Sequence, residues 1–142
     1  MIKPIIGIGS DVEQKKGDRE RAFAYTTYVE SLRRAGAVPV VIPPQPENAE
    51  AIAEGLDGIV LAGGDDCDPT VYGGPWPFAL ADVTAPVEIW HGRSDPAAPF
   101  AFAERAAAEL PRATLHALDD EGHFVFHSHA DEIAASIAGH AC

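Results

Sequence analysis

The stretch of this sequence best suited to hold a ligand is Gly58-Ile59-Val60-Leu61-Ala62-Gly63-Gly64-Asp65-Asp66. Its apolar, partly β-branched run reads as a buried parallel strand, and its glycines and aspartates read as the loop at the strand's carboxyl end, where open α/β sheets place ligands. Two side chains near that rim could attack a carbonyl: Cys67 in the aspartate loop, and Ser10 at the end of the first apolar strand. Each becomes a nucleophile only with a base in hydrogen-bond reach; otherwise Cys67 is a free thiol and Ser10 a loop cap. Asp65, Asp66 and Asp68 have the composition of a calcium loop, but the D-x-D-x-D-G spacing with its distal glutamate is missing, so they read as solvated carboxylates. His123, His127, His129 and Asp131 are spaced by four and two, which is compatible with shared metal ligation. Phe124 and Phe126 interrupt that run and the sequence offers no second ligand cluster, so no metal or other cofactor is expected.

Strands and helices must bring such groups together, and the chain alternates between the two. Pro4 to Gly9 is a short apolar strand, followed by a polar loop from Glu13 to Asp18. From Arg19 to Ala35 the less polar positions Ala22, Thr26, Val29 and Leu32 recur at three and four, which predicts a helix with Gly36 as its left-handed stop. Val38 to Pro43 is a second strand, and Pro39 suits its start or a sheet edge. A short helix is expected from Glu47 to Glu54, then the third strand, Gly58 to Ala62. Between Gly64 and Pro86 the pattern loses its period; prolines and glycines replace the helix that a parallel crossover normally contains. Trp76 and Phe78 are the large side chains there that could fold back as cover. Pro86 to Gly92 is a fourth strand, Phe100 to Leu110 a helix, Ala113 to Leu118 a fifth strand, and Ser128 to Ala138 a closing helix with Ser128 and Asp131 spaced as a capping box. These elements predict a three-layer α/β sandwich around a five-stranded parallel sheet in the flavodoxin-like order 2-1-3-4-5.

At 142 residues, 46% hydrophobic and 23% charged, the chain has the size of one α/β domain, residues 1–142. A net charge of −12 with scattered Lys and Arg excludes a nucleic-acid partner. No apolar run approaches the roughly 20 residues of a membrane span, and the start of the chain enters a strand directly, so a cytoplasmic protein is expected, monomeric or homodimeric. Cys67 and Cys142 fit neither a disulfide framework nor a zinc pattern.

Residues 3 to about 74 resemble the amino-terminal half of a class I glutamine amidotransferase-like peptidase of the γ-glutamyl-γ-aminobutyrate hydrolase type. The matching pieces are Lys3 to Ile8 with Ser10-Asp11, Tyr28-Val29-Glu30 running to Ala35-Gly36-Ala37-Val38-Pro39-Val40, and above all Leu61-Ala62-Gly63-Gly64-Asp65-Asp66-Cys67-Asp68-Pro69 with Tyr72-Gly73. The resemblance implies that Gly64, supported by Gly63, supplies a backbone amide to an oxyanion hole. Only glycine lets a carbonyl lie so close to the backbone, and such a donor is worth about 3 kcal/mol in the transition state. The family's G-x-C-x-G elbow does not follow, and the family has no catalytic role at the position of Cys67.

Residues 75 to about 138 instead resemble the carboxyl end of a serine α/β-hydrolase, through Pro86-Val87-Glu88-Ile89-Trp90-His91-Gly92-Arg93-Ser94-Asp95 and Glu121-Gly122-His123-Phe124. That resemblance implies that Asp95 orients His123, the carboxylate fixing the tautomer of a base histidine and stabilising its cation. The family's G-x-S-x-G elbow is absent from this sequence. Together the two blocks imply a chimera joined near Gly73 to Pro75: an α/β protein with an oxyanion-type turn (Gly63, Gly64) and an Asp95–His123 pair but no nucleophile elbow. Little or no catalysis on a small ester or amide is expected. The alternatives are a weak esterase or amidase that recruits Ser10 or Cys67, and a binding module without chemistry.

Overall fold

The computed structural model describes residues 2–13, 17, 19–61 and 78–140. In chain order the elements are β1 (Ile5–Gly9), β2 (Asp11–Glu13), β3 (Arg21–Phe23), α1 (Thr26–Arg34), β4 (Val38–Ile42), a 3-10 turn (Pro46–Asn48), α2 (Ala49–Glu54), β5 (Gly58–Val60), a second 3-10 turn (Leu80–Asp82), β6 (Val87–Gly92), α3 (Phe100–Glu109), β7 (Ala113–Leu118) and α4 (Val125–His140). The chain divides into two compact units, Met1–Asp66 with His129–Cys142, and Cys67–Ser128.

In the first unit β1 runs between two parallel neighbours in the order β4-β1-β5, with Ile6 opposite Pro39 on one side and Gly58 on the other. A central strand must be apolar on the face it buries, and Ile6 and Ile8 are fully enclosed there with Leu32, Ala37, Val60 and Ala134. Pro39 falls on the edge strand, where its missing N–H breaks no ladder. The helix that packs on this core ends as the sequence suggests. Gly36, at φ +91°, donates to the Arg33 carbonyl, and the Ala37 N–H reaches back to Leu32, a Schellman closure that only a residue free of a Cβ forms without strain.

Its start differs from the expectation. The expected first turns of the helix, from Arg19, are instead occupied by β3, which pairs antiparallel with β2 so that Asp11 faces Phe23 and Glu13 faces Arg21. The expected polar loop therefore begins in a strand. Gly17, in the connection, has φ +87°, a backbone conformation that favours glycine, and Arg21 binds the Glu13 carboxylate at 2.6 Å. An exposed pair of this kind adds little stability, but placed directly across a ladder it fixes the register.

The closing helix also departs from its reading. α4 begins at Val125, three residues before Ser128, and is broken at His129 (φ −117°, ψ 17°). Asp131 binds Arg34 of α1 at 2.5 Å, and Arg34 also donates to the Ser31 hydroxyl at 3.1 Å. A guanidinium with a planar fork is a stronger partner for that carboxylate than a serine three residues away.

In the second unit β6 and β7 run parallel, in register from Val87 opposite Ala113 to Gly92 opposite Leu118, with α3 as the crossover helix between them. Trp90 stacks on His116 across the pair, ring centres 3.9 Å apart, and its indole N–H donates to Glu88 at 3.1 Å.

The fold is thus mixed α/β with parallel sheets. The first part of the expected order, 2-1-3, is present as β4-β1-β5, but the described strands do not form one five-stranded sheet: β6 and β7 make a sheet of their own. β5 stops at Val60, and Leu61, expected inside the strand, is 83% exposed, which leaves only three residues to offer a further neighbour. The seam expected near Gly73 to Pro75 and the expected covering residue Trp76 lie outside the described residues, and Phe78 is half exposed. Among the described residues no helix is long and apolar enough to cross a membrane.

Candidate functional site

The chemistry gathers where β6 and β7 end. Parallel strands deliver their following loops to the same edge, and here the two loops are bonded to each other: Arg93 N–H donates to the Leu118 carbonyl at 2.9 Å and Ser94 N–H to the Glu121 carbonyl at 3.1 Å. Gly92 makes this approach possible, because a Cβ at that position would run into the Glu121 and Gly122 carbonyls. Arg93 lies over the Phe100 ring at 4.4 Å and pairs with Asp119 at 2.8 Å, a further link between the loops.

Asp95 is held at the centre. Its side chain is 5% exposed. Oδ1 accepts the N–H groups of Ala97 at 2.8 Å and Ala98 at 3.0 Å, and Oδ2 lies 3.0 Å from His123 Nδ1. Burial pushes this carboxyl up, but the Ala98 amide, the His123 ring and the Ala97 amide together outweigh it and hold the group below its ordinary range. The sign of the resulting pH dependence follows. A carboxyl lowered on folding contributes stability that is complete above its unfolded value, about 3.9, and is lost as pH falls through its lower folded value. The Ala97 and Ala98 amides should therefore keep their exchange protection to below pH 4 and lose it in more acid solution. Loss of protection already at pH 5 would contradict this anchoring.

A carboxylate only accepts, so His123 carries its proton on Nδ1 and presents a bare Nε2. The ring is 42% exposed, with Phe124 edge-on at 5.2 Å and itself 65% exposed. The structure thus brings Asp95 and His123 together. Among the described residues no hydroxyl or thiol is hydrogen-bonded to the His123 ring.

The other candidates stand elsewhere. Ser10 belongs to the first unit, its N–H bonded to the Ile42 carbonyl at 3.1 Å, while its buried hydroxyl has no partner among the described residues. Gly63, Gly64 and Cys67, with Asp65, Asp66 and Asp68, lie outside the described residues. The histidines weighed as metal ligands have separate partners: His129 meets Glu132 at 3.0 Å, His123 meets Asp95, and Asp131 takes Arg34. Among the described residues no three ligating side chains converge.

Sequence reasoning missed His91. Its Nδ1 lies 2.8 Å from the Gly92 carbonyl and its Nε2 3.9 Å from Asp95 Oδ2, with Phe100 edge-on at 5.7 Å. A histidine inside a strand pattern reads as a core residue, and only the turn after Gly92 bends Asp95 back toward it. The amide anchors had a signal in Asp95-Pro96, since an aspartate before a proline turn accepts the amides two and three residues on.

Against known proteins, the family model for Peptidase C26 matches residues 4–85. The chain is 39% identical over 85 residues to a pimeloyl-[acyl-carrier protein] methyl ester esterase of Aromatoleum aromaticum, covering 54% of this chain and 34% of that protein. It is 32% identical over 77 residues to a glutamine amidotransferase-like protein of Mycobacterium tuberculosis, covering 50% of this chain and 25% of that protein. Protein NtpR of Enterococcus hirae is likewise 32% identical over 77 residues, covering 51% of this chain and 32% of its own. The chain therefore spans about a quarter to a third of the length of these relatives. A match to residues 4–85 takes in more than half of the 142 residues, and on it the chain belongs to the Peptidase C26 family.

Proposed function

We propose that this is a hydrolase-derived α/β protein of chimeric ancestry, in which Asp95 and His123 are the acid–base half of a centre for a small ester or amide. The sequence also retains Gly63 and Gly64 as an oxyanion-type turn. The absence of a nucleophile elbow from the sequence keeps turnover low. The observation that carries this reading is the 3.0 Å contact between His123 Nδ1 and Asp95 Oδ2, which fixes the proton on one ring nitrogen and leaves the other able to accept one from water or a hydroxyl. The relatives, a methyl ester esterase and an amidotransferase-like protein, support acyl chemistry as the class. The proposal extends to a cytoplasmic protein, monomeric or homodimeric, that uses no cofactor.

A second reading, a weak esterase that recruits Ser10 or Cys67, draws on the unpartnered Ser10 hydroxyl. Purified protein should cleave p-nitrophenyl acetate and γ-glutamyl anilides no faster than an equal concentration of free imidazole. A burst of product that disappears in His123→Ala would overturn the low-turnover reading. A single fluorophosphonate adduct on Ser10 would establish the second.

A further inference from the structure

The group beside His123 that the acid–base pair does not use is apolar. Phe124 is 65% exposed, and its ring lies edge-on to His123 at 5.2 Å and to His127 at 5.8 Å. The residue that anchors the start of α4 is the next one, Val125, which is buried, so packing of the helix does not account for Phe124. Its backbone is fixed all the same, because its carbonyl accepts the His127 N–H at 2.9 Å. A single exposed apolar side chain is ordinary on a protein surface. This one touches the ring that offers a bare Nε2, so a carbonyl presented to that nitrogen carries its substituents to the Phe124 ring. The charge around the pair is of one sign. Arg93 is the sole Lys or Arg of residues 93–99 and 119–124, and it is already paired with Asp119 at 2.8 Å. Asp120 and Glu121 follow, adding negative charge three and two residues before His123.

We propose that Phe124 determines the specificity of this site: its ring takes the hydrocarbon part of an uncharged ester or amide, an aromatic group above all, while the acidic loop before His123 disfavours ligands that carry a carboxylate. The two effects have separate physical causes. Contact with the Phe124 ring removes apolar surface of both partners from water, and an aromatic partner adds the edge-to-face attraction of two rings. Repulsion by Asp120 and Glu121 acts through solvent, so it is modest in dilute buffer and fades as salt screens it. A neutral phenyl compound gains the first without meeting the second, whereas the corresponding acid meets both.

The inference rests on Asp95 and His123 being the acid–base half of the site, but its test reads binding and not turnover, so either can fail alone. The whole chain is titrated with 3-phenylpropionamide, propionamide and 3-phenylpropionate while the ring resonances of His123 and Phe124 are followed by NMR. The phenyl amide should bind about fivefold more tightly than propionamide, and Phe124→Ala should abolish that difference. Phe102→Ala, which removes an equally exposed ring from α3, should leave it intact. The acid should bind about threefold more weakly than the phenyl amide in dilute buffer, and high salt or Asp120→Asn, which spares the Arg93–Asp119 pair, should narrow that gap. Equal affinity for the two amides, or a phenyl preference that survives Phe124→Ala, would overturn the role of Phe124. An acid that binds as tightly as its amide would overturn the selection by charge.

Discussion

Gly92→Ala should destabilise the Cys67–Ser128 unit by about 2 to 3 kcal/mol, the upper part of the range for overpacking, because the added methyl meets backbone and not a side chain that could turn away. The Glu121 and Gly122 carbonyls stand where the methyl would go, and the loops that carry them also hold Ser94 and His123. Relief requires the loop after β7 to withdraw from the loop after β6. The Ser94–Glu121 bond and the Asp95–His123 contact should then lengthen together. Two readouts separate this from a simple loss of stability: the denaturant midpoint, and the His123 ring nitrogen shifts, which should leave the Nδ1–H tautomer while the protein is still folded. A variant as stable as the wild type with an unchanged His123 tautomer would show that Gly92 is not what permits the loops to close.

Ile6→Ala should cost about 3 to 5 kcal/mol, as truncation of a fully enclosed isoleucine does when its surroundings cannot collapse. Ile6 is 0% exposed and lies in the strand bonded on both sides, so two ladders hold the walls of the cavity in place. The space has no slack: a methyl on neighbouring Gly58 would stand 3.2 Å from Ile6 Cδ1 and 3.3 Å from Ile137. By contrast Val40→Ala, on the edge strand and 41% exposed, should cost well under half as much. Urea melts followed by amide exchange in β1, β4 and β5 would compare them, and equal losses would mean that the core of this unit is not centred on β1.

The reach of sequence reasoning followed the range of the interactions involved. Where a local rule with a single solution applied, the elements could be read directly: Gly36 as a left-handed stop, Pro39 at an edge, and Ala113 to Leu118 as a strand. The three-strand order around β1 followed from the apolar pattern and the handedness of crossovers. The pairing of β2 with β3 was hidden because the β3 residues also fit a helical period and those of β2 read as the edge of a polar loop. The choice was made by a cross-strand pairing, Glu13 with Arg21, that no local pattern contains. The early start of α4 and its break at His129 were hidden for a related reason: Asp131 is claimed by Arg34, 97 residues away in sequence.

For the site, the sequence by itself determined the chemical inventory: an aspartate after one strand, a histidine after the next, no nucleophile elbow, and a resemblance of residues 3 to about 74 to an amidotransferase-like peptidase, which the Peptidase C26 match to residues 4–85 supports. The tertiary structure decided the geometry, because hydrogen bonds between side chains 28 positions apart depend on how two loops close on each other and on the glycine that lets them. It also decided that a second ring, His91, comes to 3.9 Å from the oxygen that meets His123, since only the turn after Gly92 brings Asp95 back beside its own strand.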